Sequence, residues 1–231
     1  MNVYSVVCNR PAEIEAVRAA RPSHILISYF YFKNKPVSSL IEDLGYRPAI
    51  MLDSGAYSAF TQGKNISLVD YMNYVAANKD HVDEYISLDV IGNARMSFYY
   101  WQLMNWEGFR PVPVFHYGDP MTFLLRYVET NIDRVALGGC VPVEDKQVVA
   151  NWANKCINAF PDIKFHLLGV NHKIIREQCE RLHSRDFSTW IMAAANGYPK
   201  SIPGRDRASR IARAIENLRS IKDTGQVEWG A

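Results

Sequence analysis

Long apolar runs are missing from the sequence. No stretch approaches the ~20 consecutive apolar residues that a helix needs to cross a bilayer. The first residues, MNVY, also lack the basic head and apolar middle of a secretory signal peptide. We therefore expect a soluble, cytoplasmic protein.

Closely spaced cysteines and a strong net charge are missing as well. The four cysteines lie far apart, with no Cys-x-x-Cys pair and no histidine at a zinc-finger interval, which argues against a structural zinc site or a disulfide framework. The formal net charge is only +2, so the chain as a whole does not have the field of a nucleic-acid-binding protein. Any basic surface must be local.

A glycine-rich phosphate loop after the first strand is also absent. The first apolar run, residues 3–7, is followed by CNRP, which argues against a doubly wound dinucleotide-binding sheet. With 231 residues, 48% of them hydrophobic, the chain is long enough to bury the core of one barrel domain.

Seven short apolar or β-branched runs are present, with a poorer eighth that contains Ser184, Arg185 and Asp186, and amphipathic stretches separate them. The predicted strands are residues 3–7, 24–30, 49–52, 84–88, 113–115, 134–137, 164–168 and 183–187. The predicted helices are residues 11–20, 68–77, 95–106, 121–129, 146–160, 173–182 and 205–221. This alternation is typical of βα units and predicts an α/β fold, a single-domain (β/α)8 TIM barrel over residues 1–231 without a zinc subdomain.

Polar residues and glycines follow the predicted strands, at the end where barrel enzymes place their chemistry. Asp53 enters a turn with Ser54 and Gly55, and Asp89 follows the fourth strand. Later strand ends contribute His116, Gly138, Gly139, Gly169 and Asp186. Three carboxylates that converge in one mouth repel one another, and this cost in stability indicates a functional site.

Each of these residues also has a structural interpretation. Asp and Gly are ordinary turn formers after strands, so a turn explains Asp53 or Asp89 alone equally well. Taken alone, Gly138 and Gly139 are better explained as a turn with positive φ. A single His116 is more often a buried structural residue than a catalytic one, and His166, inside a strand, is interpreted as structural.

The ordered set of segments resembles the tRNA-guanine transglycosylase superfamily, especially its shorter phage and bacterial members that place 7-deazaguanine bases in DNA. Segment 53–58 (DSGAYS) is similar to the family's DSGGFQ, and segment 114–118 (VFHYG) to the family segment that ends in Gln-Gly. Segments 137–139 (LGG) and 166–170 (HLLGV) resemble the family's Gly-Gly and LMGV segments. Asp89 and Asp186 lie where the family has aspartates.

Two departures from the family pattern bear on the substrate. The tRNA enzymes have a zinc site of three cysteines and a histidine near the C-terminus, which this chain lacks. The family's Pro-Thr-Arg segment also has no counterpart after Asp186. Both departures point away from an ordinary tRNA enzyme and toward DNA.

The resemblance implies a base-exchange glycosyltransferase, a pentosyltransferase that replaces guanine in nucleic acid with a preQ0-type 7-deazaguanine. Asp186 would attack C1′ to form a glycosyl-enzyme and Asp53 would shuttle the proton, with no cofactor or metal needed. Asp89 would select the purine. The other expected base-binding residues are His116, Gly138, Gly139, Ser54, Gly55 and Gly169.

The partners implied are DNA or tRNA, in which the target base is flipped out of the stack, and a free 7-deazaguanine base, inside a bacterial or phage-infected cell. A homodimer is compatible with this scheme. The densest basic run of the sequence comprises Lys200, Arg205, Arg207, Arg210 and Arg213. Two interpretations are open: these residues hold the phosphates that flank the target base, or they form a solvated helix face.

Three other functions remain open at this point. The first is base exchange on tRNA. The second is a nucleic-acid-binding barrel without chemistry, or an inactive partner subunit that only presents substrate. The third is a barrel hydrolase that uses Asp53 and Asp89 on a sugar or phosphate, with or without a metal.

Overall fold

Eight parallel strands form the centre of the protein. The computed structural model describes residues 1–224, with side chains described up to residue 221. The strands are β1 (Asn2–Val7), β2 (His24–Ser28), β3 (Ala49–Asp53), β4 (Glu84–Tyr85), β5 (Val114–His116), β6 (Arg134–Gly138), β7 (Lys164–Leu167) and β8 (Ser184–Phe187).

Helices follow the strands along the chain. They are α1 (Pro11–Ala20), α2 (Tyr29–Phe32), α3 (Val37–Leu44), α4 (Ala56–Thr61), α5 (Leu68–Asn78), α6 (Ala94–Trp106), α7 (Met121–Val128), α8 (Lys146–Ala159), α9 (Lys173–Gln178), α10 (Thr189–Ala195) and α11 (Arg207–Thr224). A single 3₁₀ turn (Lys79–His81) follows α5. Within the described part of the chain, no helix combines the length and apolarity needed to span a membrane.

The strands close into a barrel. They are hydrogen-bonded in the order β4-β3-β2-β1-β8-β7-β6-β5, so the first strand pairs with the last. A parallel bridge between Ile86 and Val112 joins β4 to β5 and completes the circle. The predicted single-domain (β/α)8 barrel is confirmed.

The alternation of side chains along each strand separates two layers of core. Within β7, Phe165 and Leu167 pack in the apolar cluster beneath the helices, whereas His166 lies between them in sequence and points the other way. Its ring contacts Tyr4 edge to face inside the barrel, with centroids 5.6 Å apart. The strand period therefore decides which residues can reach the barrel interior.

Several element boundaries differ from the predictions. The second strand ends at Ser28 rather than at residue 30, because Tyr29 and Phe32 turn into the short helix α2 and bury one helical face. The fourth strand has two residues instead of five, since Ile86 pairs with Val112 only through an isolated bridge. Helix α9 ends at Gln178, before the predicted residue 182. Helices α2, α3, α4 and α10 were not predicted.

The C-terminal helix covers the bottom and side of the barrel where the first and last strands meet. Helix α11 packs against α1 and α10. The predicted apolar stripe is confirmed, because Ile211 and Leu218 are buried and Ile215 packs against the same core.

Candidate active site

A cavity of about 330 Å³ opens at the C-terminal ends of the strands, where barrel enzymes carry their chemistry. Seven residues predicted from the sequence line it, namely Asp53, Asp89, His116, Gly138, Gly139, Gly169 and Asp186. Ser54 and Gly55 form the turn behind Asp53. A larger hollow of about 600 Å³ lies around Trp106 and Arg134, toward the other end of the barrel, and none of these carboxylates lines it.

Asp53 ends β3 and is held by the turn that follows. The Gly55 N–H donates to Asp53 Oδ2 at 2.9 Å. Gly55 has a positive φ of 80°, and a Cβ at this position would lie only 2.4 Å from Ser28 Oγ, so the turn requires glycine. The sequence Asp-Ser-Gly therefore places a carboxylate at the cavity wall with its backbone donor already arranged.

The Asp53 carboxyl lies in an environment that favours its protonated form. Burial raises its pKa to about 7, and the negative charges of Asp89 and Asp186 act in the same direction. Backbone hydrogen bonds from Gly55 and Ser54 oppose the shift only in part. A carboxyl with a pKa near neutrality can both donate and accept a proton at physiological pH.

Asp89 is held in place by two side chains. Ser54 Oγ donates to Asp89 Oδ1 at 3.2 Å, and His116 Nε2 lies 2.8 Å from Asp89 Oδ2. Burial lowers the pKa of His116, but the carboxylates of Asp119 and Asp89 outweigh it and raise the pKa to about 9. His116 is therefore an imidazolium at neutral pH, and it donates to Asp89 across a buried ion pair.

Gly138 makes room for this ion pair. A Cβ on Gly138 would lie 2.6 Å from His116 Cδ2, closer than non-bonded carbon atoms approach. The absence of a side chain at the end of β6 lets the imidazole lie against the strand. Gly138 thus makes room for His116, and this role is more specific than that of the turn residue to which the sequence alone pointed.

Asp186 lies on β8 across the mouth from this pair and has different partners. Asp186 Oδ1 accepts from the Gly169 N–H and lies near His166 Nε2, both at 3.0 Å. The other ring nitrogen of His166 lies 2.8 Å from Ser184 Oγ. His166 is completely buried, so a Ser184–His166–Asp186 chain runs from the barrel interior to the cavity.

His166 is the functional candidate that sequence reasoning missed. It was interpreted as structural because it lies inside a strand. The strand period contained the missing signal, since β7 pairs with β8 and His166 is in register with Ser184, two residues before Asp186. Cys8, Tyr31 and Tyr57 also line the cavity without having been predicted.

The predicted basic run is divided in the structure. Arg213 is buried, and its Nε donates to the Ile202 carbonyl at 2.9 Å, so it holds the preceding loop. Arg207 is exposed and pairs with Glu15 of α1, Nη2 to Oε2, at 2.8 Å. Lys200, Arg205 and Arg210 are exposed. The five residues therefore do not form one continuous surface.

The described residues contain no group of three or more His, Cys, Asp or Glu side chains arranged to hold a metal ion. Lysine is also absent from the lining of the mouth cavity. The chemistry that these side chains can perform directly is proton transfer and charge stabilisation by carboxylates.

The fold places the chain among α/β barrels whose solved members include enzymes. A putative fructose-1,6-biphosphate aldolase from Coccidioides immitis is similar with a TM-score of 0.60 and 14% identity, over 96% of this chain and 90% of that chain. The YdjI aldolase from Escherichia coli K12 is similar with a TM-score of 0.60 and 12% identity, over the same shares of the two chains. No family model and no curated protein matches the chain.

These comparisons correct the function predicted from the sequence. The structural likeness is to proteins named as aldolases and not to a nucleic-acid glycosyltransferase. The prediction of base exchange by a pentosyltransferase is therefore wrong, and its tRNA-acting and non-catalytic alternatives are not favoured either. The likeness itself shows the fold, because at this identity the chemistry of the neighbours does not transfer. The motif resemblance, the nucleic-acid partners and the homodimer stay predictions.

Proposed function

We propose that the protein is an acid–base hydrolase that cleaves a bond at the anomeric carbon of a small glycoside bound in the mouth cavity. The observation that carries this proposal is Asp53, a carboxyl with a pKa of about 7 beside two further carboxylates. Enzymes that cleave glycosidic bonds use one carboxyl as an acid and a second as a carboxylate facing the reacting carbon. The two roles require different environments, which Asp53 and Asp186 have.

In this scheme, protonated Asp53 donates its proton to the leaving oxygen as the bond to the anomeric carbon breaks. The Asp186 carboxylate stabilises the positive charge that develops on that carbon. His166 and the Gly169 N–H hold Asp186 Oδ1 in place, which leaves Oδ2 for the substrate. Water then adds to the carbon, and its proton returns to Asp53. The products are the free sugar and the free alcohol, and Asp53 is again protonated.

The rest of the cavity fits a small ring-shaped substrate. Its volume of about 330 Å³ is in the range of small-molecule sites. Leu26, Val141 and Leu168 supply an apolar wall against which the face of a sugar ring can pack. On the opposite wall, the Asp89 carboxylate, which Ser54 and His116 hold in place, supplies an acceptor for hydroxyl groups.

Aldol cleavage, the activity named for the two structural neighbours, has no specific support in this site. Such a reaction needs a Schiff-base lysine or a metal ion to stabilise the carbanion. No lysine lines the mouth cavity, and the described residues show no three-ligand metal group. The carboxylates alone favour hydrolysis.

A panel of aryl glycosides tests the proposal. We expect wild-type protein to release nitrophenolate from one or more 4-nitrophenyl glycosides of the panel. Asp186→Asn should be inactive on every aryl glycoside, because the developing cation loses its carboxylate. Asp53→Asn should lose activity on poor leaving groups but retain most of it on 2,4-dinitrophenyl glycosides, which depart without protonation.

Asp133→Asn is the matched control, because it removes a carboxylate that is exposed and lies far from the mouth. It should leave the rates unchanged. Absence of turnover across the panel would overturn the proposal. An Asp53→Asn variant that loses activity equally on good and poor leaving groups would remove Asp53 from the role of acid.

A further inference from the structure

A second cavity, of about 310 Å³, lies beside the mouth between α1, α10 and α11. Three arginines, Arg10, Arg207 and Arg210, line it together with Glu13. Ile191 and Ala194 of α10 form its apolar side. We call it the arginine cavity. None of its residues belongs to the proposed hydrolytic site.

The guanidinium groups converge here from two separate elements. Arg10 is the N-terminal cap of α1, while Arg207 and Arg210 lie in the first turn of α11. Helices α1 and α11 begin here, and the carboxylates of Glu13 and Asp206 lie at their positive ends. Tertiary packing of α11 on α1 therefore brings three guanidinium groups to one cavity of a chain with almost neutral net charge.

The ion pairs at this site leave part of the positive charge available. Arg10 Nη1 lies 3.7 Å from Glu13 Oε1, and Arg207 Nη2 pairs with Glu15 at 2.8 Å. Arg210 has no ion pair among the described residues, and its recorded contact is from Nε to the Asp206 carbonyl at 3.4 Å. Its two Nη groups can therefore bind a ligand in the bidentate manner typical of arginine and phosphate.

Glu13 connects the arginine cavity to the mouth. It is 1% exposed, and its Oε2 accepts from the Cys8 N–H at 2.6 Å. Cys8 itself lines the mouth cavity. The two cavities therefore share one wall, formed by the loop after β1.

We propose that the arginine cavity binds the phosphate group of a small phosphorylated metabolite, with the carbon skeleton against Ile191 and Ala194. A concave site of this size suits a terminal phosphate, whose oxygens can accept two parallel hydrogen bonds from one guanidinium group. This proposal stands independently of the proposed hydrolysis.

Calorimetric titration at constant ionic strength tests the site with inorganic phosphate, ribose 5-phosphate and ribose. We expect saturable binding of the two phosphate compounds and none of ribose. Arg210→Gln should weaken binding about tenfold or more, the effect of losing a charge-assisted hydrogen bond. Glu15→Gln should strengthen binding by about twofold, because Arg207 loses its competing partner.

Arg18→Gln is the matched control, since it removes the same charge from an exposed position in the last turn of α1. It should leave binding unchanged, and thermal unfolding of each variant checks that the fold is intact. An equal loss in Arg18→Gln and Arg210→Gln would show diffuse attraction and overturn the proposal. It would also be overturned if neither phosphate compound bound up to about 10 mM, ten times the dissociation constant of a millimolar ligand. Binding of an oligonucleotide but not of the small phosphates would replace the proposed ligand class.

Discussion

The two sides of the mouth stabilise their carboxylates by different means. On the β4–β5 side, Asp89 faces the imidazolium of His116, so charge is balanced by charge. On the β7–β8 side, Asp186 accepts from the Gly169 N–H and lies beside His166, which the barrel buries completely. Asp53 accepts only from the backbone, and burial, together with the charges of Asp89 and Asp186, raises its pKa to about 7. A group that titrates near neutral pH thus results mainly from burial, in a place where no histidine bonds the carboxylate.

Among changes at Asp53, His116, Gly138 and Ser184, removal of the Asp53 carboxyl should have the largest effect. Asp53→Asn should lower the rate on poor leaving groups by about 10² to 10⁴-fold, the contribution of a general acid. The raised pKa of Asp53 stabilises the wild-type fold below the ordinary carboxyl pKa, and this stabilisation is lost as the pH rises through about 7. Asparagine does not ionise, so the same variant should be more stable than the wild type at high pH.

Urea unfolding at pH 5 and pH 8 measures this stability difference. Relative to the wild type, we expect the free energy of unfolding of Asp53→Asn to be higher at pH 8 than at pH 5 by about 1–3 kcal/mol, less than the full shift implies because the cavity admits water. An identical difference at both pH values would contradict the raised pKa.

Removing His116, on the β4–β5 side of the mouth, should have the second-largest effect. His116→Ala leaves Asp89 buried without its cation and should cost about 3 kcal/mol at pH 6. The pKa of His116 is raised to about 9, so the stability from this pair is present below the ordinary pKa and is lost as the pH rises through about 9. The deficit of the variant, measured by urea unfolding, should therefore shrink by pH 10. His116→Gln retains an N–H donor and should be less harmful; a deficit that stays constant with pH would argue against an ion pair.

A substitution at Gly138 tests the same side of the mouth by crowding His116. Gly138→Ala places a methyl group 2.6 Å from His116 Cδ2 and should destabilise the fold by about 1–3 kcal/mol, as overpacking does. Gly118→Ala is the control, because that glycine also lies near His116 but has open space around it, so the variant feels only the strain of its positive φ. The free energy of unfolding should depend less on pH between 7 and 10 in Gly138→Ala than in the wild type, and should keep its normal dependence in Gly118→Ala. This result would show that the methyl group displaces His116. Unchanged pH dependence in both would speak against that contact.

Ser184 should have the smallest effect. Ser184→Ala removes the hydrogen bond to His166 Nδ1 while Asp186 keeps both of its own partners. We expect a loss of about 1 kcal/mol in unfolding free energy and less than a tenfold decrease in kcat. A loss as large as that of Asp186→Asn would mean that the whole Ser184–His166–Asp186 chain takes part in the reaction.

The barrel and the membership of its mouth were predictable from local patterns. Apolar runs at regular intervals located seven of the strands, because a strand buried in a barrel needs a continuous apolar segment. The eighth had only a poor signal, since Ser184, Arg185 and Asp186 are polar. Asp53 and Asp89 were predictable because each follows such a run directly. Helix α2 was missed since its four aromatic residues are as apolar as the strand before it, and only their packing distinguishes the two.

The pairings within the mouth were not predictable in the same way. The sequence indicated that Asp89, His116 and Asp186 share the mouth, but it did not specify the Asp89–His116 contact across 27 residues or the His166–Asp186 contact across 20. Register between neighbouring strands sets these contacts. The basic run shows the same limit, because packing of α11 buries Arg213 and leaves Arg207 and Arg210 beside Arg10.

The sequence by itself determined the fold class, because hydrophobic periodicity and turn residues act locally and seven of the eight strands have a clear signal of their own. It also determined which residues lie at the strand ends. Only the tertiary structure decided their protonation and partners, because a pKa depends on burial and on charges brought together from distant parts of the chain. The same dependence on distant neighbours explains why Asp53, a turn residue by its sequence, becomes the proton donor of the proposed reaction.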